Sequence, residues 1–171
     1  MSTSNFLPKS PASASTKPQP IVARDLLNDF TLYNFQDGLR FYYGDISWLK
    51  KMVSLNLNLD EDETSFPDKA LAHFLQIADQ AEQWDARLRQ AALQYMANSD
   101  GTVDIWGYTS TDGPSTISSE DFLHRISLCL LSVFPNGDLF FEYDPDQMFD
   151  LNSLGIEANV SGEIGSCGLE G

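Results

Sequence analysis

Two groups of carboxylates are the residues of this sequence whose type and spacing could support chemistry. The first group is the run Asp60, Glu61, Asp62 and Glu63, and the second is Asp144, Asp146 and Asp150. Carboxylate oxygens coordinate hard divalent cations, and they also attract basic protein surfaces. Neighbouring side chains on an extended segment point to different sides, however, and the second group lacks the glycine and terminal glutamate of a calcium-binding loop. We therefore predict no metal site, and we interpret each group first as a solvated strand end and second as a partner contact.

The two histidines, His73 and His124, are the natural candidates for a general base near neutral pH. A general base needs a nucleophile and an orienting partner within hydrogen-bond distance, and the sequence supplies no such set. It also contains none of the short motifs of phosphate-binding loops, serine hydrolases or zinc peptidases. The sequence therefore predicts a protein that is not an enzyme and that needs no cofactor.

The net charge of −15 is distributed unevenly along the chain. Through Arg24 the chain has three bases and no acid, whereas the rest holds all 25 acids against 7 bases, a net charge of −18. So acidic a body repels nucleic-acid phosphates and anionic membrane surfaces. It would attract a basic protein, and it would also keep the protein in solution.

Cysteine usage and apolar patterning bear on the compartment. Cys129 lies in the apolar run ISLCLLSVF and Cys167 lies near the C-terminal end, which is neither a disulfide framework nor a CxxC motif. No stretch approaches the roughly 18 apolar residues of a membrane span. We expect a cytoplasmic protein, in which the two cysteines are close only if their strands are neighbours.

The chain divides by composition into a tail and a body. Residues 1–20 are rich in Ser, Pro, Ala, Thr and Lys, and they cannot bury enough apolar surface to offset the entropy lost on folding. We predict a disordered tail over residues 1–20 and a single α+β domain over residues 21–171. A docking peptide around Phe6 and Leu7 is the functional alternative for the tail.

Hydrophobic periodicity predicts strands at both ends of the body and helices between them. The stretch MVSLNLNLD alternates strictly, so one face should meet the core while the other meets water, as is typical of an antiparallel sheet. Turn residues predict three hairpins, near residues 37–38, 135–138 and 162–163. The run ISLCLLSVF is apolar on both faces, as expected of a central strand.

Two amphipathic helices, or one bent helix, are predicted between residues 66 and 98 because Leu71, Phe74 and Trp84 begin apolar stripes of helical spacing. No other segment has a comparable stripe, so these helices should cover the strand face that carries Val53, Leu55 and Leu57.

Two pairs of residues have capping-box spacing and mark helix starts, namely Ser65 with Asp68 and Ser118 with Asp121. The order of strands, then helices, then strands predicts an α+β fold. In this fold an antiparallel sheet of hairpins packs against a helical pair.

The order of elements from about Trp84 to Gly171 resembles a bacterial family of small α+β proteins known only as a domain of unknown function. The similar stretches are WDARLRQAALQYMAN, then ISSEDFLHRISLCLLSVFPNGDLFFEYD, then a final strand pair that ends in a glycine. That family often has a Gly-His pair before the penultimate strand, where this chain reads Asp150-Leu151-Asn152-Ser153. The resemblance implies an acidic protein of the kind that includes immunity proteins, which neutralise a co-encoded toxin.

Three hypotheses about function follow. The leading one is a non-catalytic acidic binding protein for a basic partner, with an immunity-type inhibitor of a basic toxin as one form of it. The first alternative is a ligand-binding or enzymatic domain whose pocket lies between sheet and helices. Its polar candidates are Tyr42, Tyr43, His124 and Glu142. The second alternative is a structural or adaptor subunit whose exposed strand edge pairs with another chain.

Overall fold

The structure, a computed structural model, describes residues 27–36, 38–62, 66–107 and 115–171. The predicted tail at residues 1–20, the start of the predicted domain, the turn residue Asp37, and Ser65 with Glu63 lie outside these residues. The elements in chain order are β1 (Thr31–Asn34), β2 (Arg40–Trp48), β3 (Lys51–Asn58), α1 (Asp68–Ala78), α2 (Ala81–Met96), β4 (Thr102–Ile105), β5 (Ser115–Ser118), α3 (Ser119–Arg125), β6 (Ser127–Val133), β7 (Asp138–Asp144), β8 (Ser153–Asn159) and β9 (Ile164–Glu170).

Seven of these strands form one sheet in the order β1-β2-β3-β6-β7-β8-β9, and β4 pairs with β5 in a separate two-stranded sheet. Neighbours in the large sheet are antiparallel except for β3 and β6, which run parallel with Leu55 opposite Leu131. The prediction of an α+β fold is therefore confirmed, the sheet is mostly antiparallel, and β6 is the central strand.

Two details of the predicted architecture need correction. The sheet is not built from hairpins alone, because β3 and β6 are parallel neighbours. Such neighbours need a long crossover, and the chain between them supplies α1, α2, β4, β5 and α3. The helical layer also contains α3, whose start at Ser118 is the predicted one, since the Ser118 Oγ accepts a hydrogen bond of 3.0 Å from the main-chain N of Asp121. For α1 the cap position is Pro67, which makes no side-chain capping bond.

The core lies between the large sheet and helices α1 and α2, as predicted. Leu55 and Leu57 are fully buried on the covered face, and the Trp84 ring stacks on Phe141 at a centroid distance of 5.8 Å. Burial of each such side chain contributes about 1.5–3 kcal/mol to the stability of the fold. The predicted stripes are wrong in part, because Leu75 and Tyr95, which also fall at helical spacing in the sequence, are exposed. The apolar stripe of α1 runs through Ala70, Leu71, Phe74 and Ile77 instead.

The opposite face of the sheet, which we call the open face, has no described helix over it. Directly opposed residues of neighbouring strands share a face, so the register assigns its members. They include Tyr33, Phe41, Tyr43, Met52, Ser54, Asn56, Ser132, Phe140, Glu142 and Glu157. Near its middle, the Asn56 amide donates a hydrogen bond of 3.2 Å to the Ser132 Oγ, which links the parallel strands.

The sheet has two ends, which we name the Gly137 end and the Arg125 end. At the Gly137 end, β3, β6 and β8 finish while β7 begins, because Leu57 lies opposite Val133, Val133 opposite Leu139, and Leu139 opposite Ala158. At the Arg125 end, β3 and β6 begin and β7 finishes. These ends separate the candidate residues.

Candidate functional site

The first predicted acidic group lies at the Gly137 end, directly after β3. The Lys69 ammonium donates to the Asp60 carboxylate, and the main-chain N of Glu61 adds a hydrogen bond of 2.9 Å. Both interactions hold the pKa of Asp60 below its ordinary value, the bond from Lys69 having the larger effect. The Arg40 guanidinium also donates to the Asp60 carbonyl oxygen at 2.9 Å. Asp60 therefore ties the strand end to α1 and β2, while Glu61 and Asp62 are exposed beside it.

The second predicted group lies at the Arg125 end, where Asp144 ends β7 and the other two acids lie in the loop that follows. The Asp146 carboxylate accepts a hydrogen bond of 2.8 Å from the Arg125 Nε, and the Asp146 carbonyl accepts another of 3.0 Å from the same guanidinium. The Asp144 carboxylate accepts from the main-chain N of Asp146 at 2.8 Å. Asp150 is exposed in the left-handed backbone region at φ 62°. Asp144 and Asp146 thus shape the loop and join it to α3.

The two groups lie at opposite ends of the sheet, so the structure does not bring them together. The eight residues of β3 separate these ends. A strand of that length measures about 25 Å at roughly 3.3 Å per residue. Asp60, Glu61 and Asp62 therefore cannot share one compact contact surface with Asp144, Asp146 and Asp150.

The four polar candidates of the alternative pocket do not converge either. Tyr42 faces the covered side of β2, where its ring lies 6.4 Å from Phe66, whereas Tyr43 and Glu142 lie on the open face. His124 is on α3, and its side chain is 78% exposed. The structure therefore provides no cluster of these four residues.

The space between the sheet and α2 contains a small cleft of about 210 Å³, in which Asp85 and Arg89 have partners while the buried Trp48 Nε1 has none among the described residues. The Asp85 carboxylate accepts from the Arg89 Nε at 2.7 Å and from the Tyr143 hydroxyl at 3.3 Å. The other arm of the Arg89 guanidinium donates to the carbonyls of Leu123 and Ile126 at 2.6 and 3.1 Å. The pKa of Tyr143 is raised, mainly by burial and to a smaller extent by the nearby Asp85 charge. This network joins α2, α3 and β7.

A larger cavity of about 790 Å³ lies at the Gly137 end, where β7, β8 and β9 meet the open face. Its size is within the range of small-molecule sites. Aromatic rings and carboxylates contribute to its wall. The wall includes Phe134, Asp138, Phe140, Glu157, Asn159 and Glu163.

Each carboxylate of this cavity accepts one hydrogen bond from a neutral donor. The Asn136 amide donates to Asp138 at 2.6 Å. The Ser166 hydroxyl donates to Glu157 at 2.7 Å, and the Asn159 amide donates to Glu163 at 2.8 Å. These donors orient the three carboxylates without neutralising them, and each carboxylate keeps a second oxygen free of the hydrogen bonds described here.

No cation belongs to the described wall of the cavity. Asp138, Glu157 and Glu163 take part in none of the ion pairs among the described residues. Arg87 is near, on the covered side, but its guanidinium donates to the Gly162 carbonyl and lies 5.4 Å from the centre of the Trp84 ring. Three negative charges around aromatic rings suit a positively charged guest, which both features attract.

Strand register places these groups side by side. Phe140 lies opposite Glu157, and Asp138 opposite Asn159, so the four side chains share the open face. Gly155 is required beside them, because a Cβ there would come within 2.9 Å of the Phe140 ring. Gly155 therefore lets Phe140 lie flat along the sheet at the edge of the cavity.

Sequence reasoning missed the cavity residues, although one signal was present. The alternation of LFFEY assigns Leu139, Phe141 and Tyr143 to the core, which leaves Phe140 on the water-facing side. A large aromatic residue on the wet face of a strand marks a binding surface only where it belongs to a larger apolar patch or groove. The three carboxylates themselves carried no signal, because they are far apart in the sequence.

The cysteines and the metal-ligating side chains of the described residues form no cluster. Cys129 and Cys167 are free cysteines on β6 and β9, which β7 and β8 separate. Burial raises the pKa of each thiol to about 11, and at Cys129 the charges of Glu142 and Asp144 add to the effect. No group of three His, Cys, Asp or Glu residues suited to a metal ion occurs among the described residues. None of the described helices is long and apolar enough to cross a membrane.

Fold and cavity together define a small α+β protein with a mostly antiparallel sheet, helices on one sheet face and an acidic cavity on the other. The chain belongs to a family described as an uncharacterized protein conserved in bacteria (DUF2262), whose sequence model matches residues 27–169. The predicted membership in a bacterial family of unknown function is thus confirmed. No curated protein and no solved structure is significantly similar to the chain.

Proposed function

We propose that this protein is a non-catalytic binding protein whose acidic cavity receives a basic side chain of a partner protein. The observation that carries the proposal is the set of three carboxylates held by neutral donors around Phe134 and Phe140. A guanidinium or ammonium group entering the cavity would gain charge-assisted hydrogen bonds and a favourable aromatic contact. An immunity-type inhibitor of a basic toxin, acting in the cytoplasm, is the form of this function that the family resemblance favours.

The rest of the Gly137 end supports the same partner chemistry. Glu61 and Asp62 are exposed at this end, two to three strands from the cavity, which corresponds to about 10–15 Å at a spacing of roughly 4.8 Å. Charges at this distance steer a basic protein toward the cavity, and added salt screens them beyond about 10 Å at 0.1 M.

The test uses the full chain and n-butylguanidinium, with n-butanol as the uncharged match. Titrations followed by amide NMR should show shifts near Asp138, Glu157 and Glu163 with the guanidinium only. The triple variant Asp138→Asn, Glu157→Gln and Glu163→Gln should lose at least about tenfold in affinity, since each charge-assisted bond contributes roughly 1.5–3 kcal/mol.

A matched control variant removes three charges elsewhere. Asp79→Asn, Glu82→Gln and Glu120→Gln alter exposed acids of the helical side, so this variant should bind the guanidinium like the native chain. Equal loss of affinity for n-butylguanidinium in both variants would show that only the overall charge matters. Amide NMR shifts with n-butanol as well would show that the pocket binds apolar groups without regard to charge. Either result would reject the cavity as a cation site.

A further inference from the structure

The edge strand β1 and its aromatic neighbours form a second surface, which lies on the same open face as the cavity but at the opposite edge of the sheet. All four residues of β1 are exposed, and in the described part of the chain β1 pairs only with β2. The strand is short, at four residues, but it contains no lysine, proline or bulge to protect the sheet edge from pairing. This edge is therefore able to accept another strand.

The hairpin turn determines which main-chain groups face outward. The main-chain N of Phe35 donates to the Leu39 carbonyl at 2.9 Å, so these residues form a hydrogen-bonded pair. Bonded and non-bonded pairs alternate along antiparallel strands. Tyr33 and Thr31 therefore bond to β2, whereas Leu32 and Asn34 direct their N–H and C=O groups to the free edge.

Aromatic side chains line the open face beside this edge. The Tyr33 ring stacks on Phe41 at 5.6 Å and meets Tyr43 edge-on at 6.0 Å, and Phe35 stacks on Phe41 at 5.8 Å. Tyr33 is 42% exposed and Phe35 is 52% exposed. A contiguous exposed aromatic patch next to an unpaired edge is typical of a protein contact.

The charge around the patch selects the chemistry of the partner. Arg40 is the only base among residues 25–48 of the sequence, and it already donates to the Asp60 carbonyl. Asp29 and Asp45 are exposed beside the strands. A second copy of this chain would bring the same negative charge to the edge, and the two would repel.

We propose that β1 accepts an extended basic segment of another protein, which adds to the sheet as a further strand. Leu32 and Asn34 supply its main-chain hydrogen bonds, the Tyr33–Phe35–Phe41–Tyr43 patch receives its apolar side chains, and the surrounding carboxylates receive its basic ones. This inference shares the basic partner of the proposed function, but it depends on a different surface and does not require the cavity.

The test uses the full chain and a seven-residue peptide in which four lysines alternate with valine, phenylalanine and valine. Two matched peptides carry glutamate in place of every lysine, or proline in place of the two inner lysines. The lysine peptide alone should bind and should slow hydrogen exchange at the Leu32 and Asn34 amides. Leu32→Pro should weaken it about tenfold because an outward N–H is lost and the facing carbonyl is left unpaired, whereas Leu32→Ala should retain binding.

Every other outcome overturns the proposal. Absence of binding, or equal binding to Leu32→Pro, would show that the edge does not receive the peptide. Slow exchange at Leu32 and Asn34 in the free chain, with self-association that Leu32→Pro abolishes, would assign the edge to a second copy. Slow exchange in a monomeric free chain would assign it to another segment of the same chain. The cavity triple variant should bind the peptide with an unchanged hydrogen-exchange pattern at β1. A failure of the proposed strand addition at β1 can therefore be distinguished from a failure of the proposed cation binding in the cavity.

Discussion

Carboxylates occur in two settings in this molecule, and their partners differ. Asp85 faces the Arg89 guanidinium, and Asp146 faces that of Arg125 at 2.8 Å. In the cavity, by contrast, Asp138 and Glu163 accept hydrogen bonds only from asparagine amides in the described contacts, and Glu157 from a serine hydroxyl. The chemical group is the same, so the difference lies in whether the fold has supplied a counter-ion.

The comparison indicates which acids hold the fold and which are available to a partner. Asp146 with Arg125 crosses between elements, whereas Asp85 with Arg89 lies within α2, and in both pairs each charge already faces its counter-ion. A carboxylate with only a neutral donor keeps its full charge and gains most from an incoming cation. Net charge alone does not make this distinction, because both kinds contribute equally to it.

The largest expected effect is on stability, in the variant Asp85→Ala. The Arg89 guanidinium and the buried Tyr143 hydroxyl lose their shared acceptor, so the free energy of unfolding should fall by about 2–3 kcal/mol. Urea unfolding at neutral pH measures this change. Asp138→Ala, which removes only the acceptor of the exposed Asn136 amide, should stay within about 0.5 kcal/mol of the native chain. Equal losses in the two variants would contradict the distinction between the two settings.

An intermediate effect is expected when the cavity charges are removed together. Asp138→Asn, Glu157→Gln and Glu163→Gln relieve repulsion between neighbouring like charges, so stability should rise by about 0.5 kcal/mol at low salt. The gain should shrink in about 0.5 M salt, because screening already weakens the repulsion. Paired urea melts at the two salt concentrations measure both values.

A loss of stability in this triple variant would show that the cavity acids stabilise the fold, as the ion-paired acids do. The helical-side variant Asp79→Asn, Glu82→Gln and Glu120→Gln removes the same charge outside the cavity, where Glu82 and Glu120 lie in the first turns of α2 and α3. If the helical-side variant gains as much stability as the cavity variant, the gain comes from the lower net charge in general. The cavity acids then repel one another no more than other surface acids do.

Local patterns in the sequence predicted much of the fold but little of the cavity. The alternation around Leu55 gave the correct buried face, and ISLCLLSVF was correctly identified as the central strand. These features depend on neighbours in the sequence. The parallel pairing of β3 with β6 depends on a long crossover, which no local pattern encodes.

The cavity depends on register in the same non-local way. Asp138 follows a turn, Glu157 lies within β8 and Glu163 follows the Gly162 turn, so they meet only because Phe140 pairs with Glu157. A slip of one residue would turn Glu157 toward the core. The acidic run at Asp60 attracted attention in the sequence because it is contiguous, yet Lys69 already pairs with Asp60.

The smallest effect should appear at Asp60, as a pH dependence. Its pKa is lowered in the folded protein from an ordinary value of 3.8, mainly by the hydrogen bond from Lys69. The stabilisation from Lys69 is therefore fully present above that ordinary value and is lost as the pH falls through the lower pKa of the folded state. The stability difference between the native chain and Asp60→Asn should be constant above about pH 5 and should decrease as the pH falls below 3.8 toward the lower pKa of the folded state. Urea melts across this range measure it, and Asp62→Asn serves as the neighbouring control. A difference that grows on acidification would mean that Asp60 is protonated more readily when folded, and the contrast between paired and unpaired acids would then fail at this position.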